Sequence, residues 1–157
     1  MGFFQRLRRV IRSNINEMIS KSEDPEKMLD QVIMDMNKQM IESKKSVAGA
    51  IADEKKLERQ MNQTLNTAKD WEEKAKLAVR AGKDDLAKEA LLRKQEYMTE
   101  ASQYRSQLEG QQDSVEKLKQ SLRQLQQKID EAQRKRNLLI ARAKRVKAQQ
   151  RMHESIK

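Results

Sequence analysis

From Tyr97 to Val146 the chain repeats in alternating steps of three and four: Tyr97, Ala101, Tyr104, Leu108, Gln111, Val115, Leu118, Leu122, Leu125, Ile129, Ala132, Arg136, Leu139, Ala143 and Val146. A repeat of this period lays one mostly apolar stripe along a helix, and the stripe needs a second helix to cover it. The complement lies upstream, where Leu29, Ile33, Met36, Met40, Val47, Ile51, Met61, Leu65, Ala68, Ala75 and Val79 follow helical spacing. Between the two stretches, Arg80-Ala81-Gly82-Lys83-Asp84 signals a reversal. Gly82 suits the left-handed residue that closes a helix, and Asp84 suits the cap of the next. The expected fold is all-α: a long antiparallel helical hairpin of coiled-coil type over 25–153, with a first helix at 25–81 and a second at 84–153.

Composition agrees. Charged residues make up 37% of the chain and aromatics 3%, which leaves too little apolar bulk for a large globular core and matches long helices. The one proline opens the hairpin: in Ser22-Glu23-Asp24-Pro25-Glu26, Asp24 can cap a helix whose first residue is Pro25. Pairs four apart, Asp70–Lys74, Glu72–Lys76, Asp84–Lys88, Glu89–Arg93 and Asp130–Arg134, add only about 0.2–0.5 kcal/mol each. Met28, Val32, Met34, Leu57, Trp71, Leu77, Leu86, Leu92 and Met98 fall off or beside the stripe. A lone hairpin leaves them wet, which implies self-assembly.

Ahead of the hairpin, residues 1–21 read as a short amphipathic helix. Phe3, Phe4, Leu7, Val10, Ile11, Ile15, Met18 and Ile19 fill about half of the helix circumference, and Arg6, Arg9, Arg12, Ser13 and Asn16 fall on the other half. Arg8 and Asn14 sit within or beside the apolar arc, and Arg8 can snorkel. Aromatics opposite arginines suit a helix lying in a membrane interface; the plainer reading is that the segment docks on the rest of the protein. The candidate membrane-binding residues are Phe3, Phe4, Leu7, Val10, Ile11 and Ile15, with Arg6, Arg8, Arg9 and Arg12.

Charge is segregated in the same direction. The net charge is +10, yet residues 1–16 hold four arginines and no acid, and residues 132–153 hold eight basic residues and no acid. Without those twelve, 22 basic residues face 24 acidic ones. Two positive patches, one near each end, suit phosphate-bearing partners such as anionic lipid or nucleic acid. Arg142, Lys144, Arg145 and Lys147 are the candidate contacts to lipid phosphate or to acidic faces of neighbouring subunits. Nucleic acid is disfavoured, because in zipper proteins the basic region precedes the heptads, whereas here it follows them, and the run carries no aromatic for base stacking.

No catalytic constellation is present. His153 is the only histidine and there is no cysteine, so neither a histidine-pair zinc motif nor a thiolate site can form. The four glycines are isolated, so no phosphate loop and no dinucleotide fingerprint exist, and no cofactor or metal is expected. Glu72-Glu73 and Asp84-Asp85 read as solvated helix faces. No apolar run approaches the about 18 residues that span a bilayer, and none has the apolar centre of a signal peptide; the expectation is a cytoplasmic protein in peripheral contact with a membrane.

Three motifs in order, the N-terminal MGFFQRLRRVIRSNIN, the SKSEDPEKML junction at Pro25, and WEEKAKLA from Trp71 followed by Gly82, Asp85-Leu86-Ala87 and Ala90-Leu91, resemble the phage-shock protein A / vesicle-inducing protein in plastids family. The resemblance covers the whole chain. It implies similarity to ESCRT-III membrane-remodelling proteins: a hairpin that polymerises into rods or rings on anionic membranes, peripheral to the inner or thylakoid membrane, in envelope stress or maintenance. Trp71, Gly82, Asp85 and Leu86 would form the hairpin tip. The resemblance also implies an alternative, a regulatory coiled coil that binds and inhibits a transcriptional-activator ATPase, with Pro25 at the candidate contact. Either way the chain is expected to be no enzyme.

Overall fold

Asp24 and Pro25 open the first long helix in the way their chemistry allows. The Lys27 N–H donates to Asp24 Oδ1 at 3.2 Å and the Met28 N–H to the Asp24 carbonyl at 3.1 Å, while Pro25 occupies the position where a missing N–H costs nothing. In the computed structural model, which describes Gln5, Arg8, Arg9, Arg12, residues 14–21 and residues 23–156, the helices are α1 (Ile15–Lys21), α2 (Pro25–Arg80) and α3 (Asp84–Ile156). The described residues contain no strand, and α2 and α3 form a long antiparallel helical hairpin.

The reversal is closed by backbone alone. Gly82 adopts φ 73°, the Gly82 N–H donates to the Val79 carbonyl at 3.0 Å, and the Lys83 N–H reaches back to the Ala78 carbonyl at 2.9 Å. This pair of bonds is the Schellman closure, which satisfies carbonyls that the end of a helix leaves unpaired. Asp84 does not cap α3. The Ala87 N–H donates to the Lys83 carbonyl at 3.1 Å, so the helix begins one residue earlier in bonding terms, and Asp84 and Asp85 lie in its first turn, where negative charge suits the helix dipole.

A Cβ built on Gly82 meets nothing within 4 Å, so any cost of a side chain there is backbone strain rather than collision. Gly82→Val is therefore expected to lower stability by about 1–2 kcal/mol, with Gly82→Asn recovering part of the loss. Denaturant midpoints at constant slope measure it, and an unmoved midpoint for the valine variant would remove the left-handed assignment.

The chain divides into two compact units. The first holds Met1–Lys45 and Leu118–Lys157. Its core packs Ile15, Leu29, Met36, Met40, Leu125, Ile129 and Ala132, flanked by half-buried Ile19, Met28, Val32, Ile33, Leu122 and Leu139. Ser43 is buried there too, and its hydroxyl is satisfied by donating to the Gln39 carbonyl at 2.6 Å. The second unit, Ser46–Lys117, buries smaller side chains: Ala68, Ala75, Ala87, Ala90 and Ala101 together with Val47, Leu108 and Val115. Within it the Gln111 amide donates to the Ala50 carbonyl of the facing helix at 3.0 Å, which explains how a polar residue occupies a position of the seam.

The seam departs from the heptad pattern at its extremities. Val79 is exposed beside the turn, and on α3 every residue from Ala141 to Ile156 is exposed, including the seam residues Ala143 and Val146. The reason is register: α2 begins only at Pro25, and its first core residue, Leu29, already packs with Ile129 and Ala132. Arg136 also lies on the seam but is half-exposed, and its Nε–H donates to Asp30 Oδ1 on α2.

Most ion pairs among the described residues are local, three or four residues apart on one helix, and two, Lys94–Glu72 and Arg136–Asp30, cross between the helices. Glu72 pairs with Lys94 of α3 at 3.6 Å, Lys76 pairs with Glu73 at 3.4 Å, Arg93 pairs with Glu96 at 3.6 Å, and Lys74 lies 4.2 Å from the centroid of the Trp71 ring. Exposed pairs of this kind contribute about 0–1 kcal/mol each, so apolar burial along the seam carries the stability.

Candidate functional site

Of the residues expected to meet a membrane, Phe3, Phe4, Arg6, Leu7, Val10 and Ile11 lie outside the described residues. Arg8, Arg9 and Arg12 are helical and exposed. Asn14 is not helical; its Oδ1 accepts the Glu17 N–H at 3.3 Å and its carbonyl accepts the Met18 N–H at 3.2 Å, so α1 starts as a helix of its own at Ile15. Ile15 departs from its expected role. It is 1% exposed and sits among Leu29, Met36 and Leu125, having found an apolar surface in the hairpin rather than an outward position on the segment.

α1 lies against the basic part of α3. Asn16 and Ile19 of α1 and Lys135, Leu138, Leu139 and Arg142 of α3 line a groove of about 210 Å³ within the first unit. Beyond it, Lys144, Arg145 and Lys147 are exposed on α3, as is Arg142 itself. The two positive stretches, more than a hundred residues apart in sequence, thus belong to one compact unit. The sequence marks Arg142 as a candidate contact to lipid phosphate or a neighbouring subunit and Lys135 as one of the eight basic residues of the run. Their pairing with Asn16 and Ile19 carries no sequence signal, because it depends on how α1 folds back.

In the second unit, Trp71 is half-buried and Gly82, Asp85 and Leu86 are exposed. A second concavity of about 390 Å³ lies nearby, lined by Glu72, Ala75, Lys76, Val79, Arg80, Leu91 and Lys94. Leu77, Val79, Leu86, Leu91 and Leu92 are all about half-exposed or more around this tip, and Met34 and Ile41 are so on α2. Pro25 is half-buried at the start of α2. Among the described residues no group of histidine, cysteine or carboxylate side chains could hold a metal ion, and no helix is long and apolar enough to cross a membrane.

Over residues 2–157, which take in the arginine-bearing N-terminal segment, the proline junction and the hairpin, the chain matches the model of the PspA/IM30 family. The chain belongs to the PspA/IM30 family. Among the relatives of this PspA/IM30 chain, the membrane-associated protein Vipp1 of Synechocystis sp. is 44% identical over 156 residues, 99% of this chain and 58% of that protein. Vipp1 of Nostoc punctiforme is 40% identical over 157 residues, 100% of this chain and 61% of that one. A phage shock protein A homolog of Deinococcus radiodurans is 43% identical over 148 residues, 94% of this chain and 66% of that one. The chain therefore spans between 58% and 66% of the length of these PspA/IM30 relatives.

Proposed function

We propose that this chain is a non-enzymatic scaffold that attaches peripherally to anionic membranes through its N-terminal amphipathic segment and assembles laterally through its hairpin to stabilise or remodel them, in the manner of ESCRT-III proteins. The observation that carries the reading is that both basic stretches fall within one compact unit. Phosphate-bearing surfaces attract such a unit, and each basic side chain near an anionic surface adds about 1 kcal/mol. The names of the Vipp1 relatives, membrane-associated proteins, support the same direction. Met34, Ile41, Leu77, Leu86 and Leu92, exposed on the hairpin, supply apolar surface for contacts between copies. Many copies in one assembly hold a membrane by avidity that a single segment does not reach.

Negative-stain microscopy with and without phosphatidylglycerol vesicles tests the reading. Rods, rings or coats on the vesicles support it. A dispersed dimer that leaves vesicles untouched and captures an activator ATPase in a pull-down supports the alternative, a regulatory coiled coil with Pro25, half-buried at the start of α2, at the candidate contact.

Charge reversal separates the two uses of the basic run. Replacing Arg142, Lys144, Arg145 and Lys147 together by Glu takes the net charge from +10 to +2 while leaving the buried core intact. Contact with lipid predicts lost vesicle binding and unchanged lipid-free assembly. Contact with acidic faces near Glu72, Glu73, Asp84 and Asp85 of neighbouring copies predicts that assembly fails without lipid and is partly restored by Lys substitutions there.

A further inference from the structure

The groove between α1 and α3 combines features that a merely solvated charge run lacks. Lys135, Leu138, Leu139 and Arg142 are spaced i, i+3, i+4 and i+7 and so share one face of α3, with the two cations two turns, about 10 Å, apart along the axis. Leu138 and Leu139 occupy the turn between them, and Leu138 remains 51% exposed. α1 supplies the opposite wall with Ile19 and Asn16. Among the described residues neither Lys135 nor Arg142 is paired with a carboxylate, and no acid occurs from 132 to 153.

We propose that this groove seats the phosphate of an anionic phospholipid at the membrane surface, making the hairpin base a second lipid contact beside the amphipathic segment; the proposal rests on the membrane reading above. Arg142 offers a planar fork for two phosphate oxygens, Lys135 a point charge at the end of an apolar stem, and Asn16 a neutral donor. Ile19, Leu138 and Leu139 form an apolar floor next to those donors. A free phosphate has nothing to place on that floor, whereas a phospholipid brings glycerol and acyl carbons attached to its phosphate. Arg12, exposed and helical, stands three residues ahead of α1 in the chain and adds one more positive charge to this unit.

The test is binding of the full chain to vesicles of phosphatidylglycerol mixed with phosphatidylcholine and to vesicles of phosphatidylcholine alone. Lys135→Gln with Arg142→Gln is expected to weaken binding to the anionic vesicles about 30-fold and to the neutral ones less than about threefold, with the melting profile unchanged. Leu138→Ser keeps the charge, removes part of the floor and is expected to weaken both severalfold. Lys88→Gln with Arg105→Gln removes equal charge in the other unit and leaves binding as it was. An equal loss from Lys144→Gln with Lys147→Gln, competition by millimolar inorganic phosphate at constant ionic strength, or a loss of duplex DNA binding with vesicles unaffected each overturns the groove assignment. If Phe4→Asp abolishes vesicle binding and the Lys135/Arg142 pair of changes does nothing, the groove falls and the membrane reading stands. If Phe4→Asp does nothing while the pair abolishes binding, the groove stands and the amphipathic segment loses its role.

Discussion

Leu125→Ala is expected to destabilise the chain by about 2–5 kcal/mol, the largest loss of any single truncation in the hairpin. Leu125 is 0% exposed and shares its cluster with Leu29, Met36 and Ile129, three other large apolar side chains held on two different helices. Removing three carbons there forfeits their transfer energy and leaves a hole that two helices fixed along their length cannot close by small shifts. For a chain of this size the loss corresponds to a fall of roughly 5–15 °C in the thermal midpoint. Leu92→Ala, at a site 66% exposed, is expected to stay within about 0.5 kcal/mol. Equal midpoints for the two variants would show that the heptad seam is not where the hairpin is held together.

Phe4→Asp is expected to weaken binding to anionic vesicles about a hundredfold while the helical content of the hairpin persists. Burying a phenylalanine in a membrane interface is worth about 1.5–3 kcal/mol, and a carboxylate in its place meets the negative lipid surface at a further cost of about 1 kcal/mol. Together these reach the about 3 kcal/mol that a hundredfold change requires. Replacing Arg6, Arg9 and Arg12 by Gln should act differently: the loss should be larger on acidic than on neutral vesicles and should shrink as salt is added, because it is Coulombic. Co-sedimentation that Phe4→Asp leaves unchanged would end the membrane role of the segment.

The hairpin was legible in the residues because its stabilising term is periodic. Leu29, Met36, Met40, Leu125 and Ile129 recur at the spacing of a helix face, and each is buried. Gly82 was legible because one backbone conformation favours one residue type. The features that escaped depend on register and on folding back, which periodicity does not encode. Ala143 and Val146 continue the seam in sequence and lie exposed in the structure, since heptads do not say where the partner helix starts. Ile15 matches the apolar arc of residues 1–19 as well as Ile11 does, yet the Asn14 cap starts a new helix and turns Ile15 into the core. The Arg136–Asp30 pair and the groove at Lys135 and Arg142 join residues over a hundred positions apart, so no local pattern announces them.

The closure at Gly82 has a consequence for how the tip can diverge. Its bonds run between the main-chain groups of Ala78, Val79, Gly82 and Lys83, and the side chains of Lys83, Asp84, Asp85 and Leu86 take no part in holding it. Those four positions are free variables. Their charge or size can be rewritten, whether by mutation in a lineage or by a protein engineer grafting a binding epitope, without renegotiating the reversal that displays them. The hairpin thus separates the residue that must stay, one glycine, from the residues that can change the identity of whatever the tip meets.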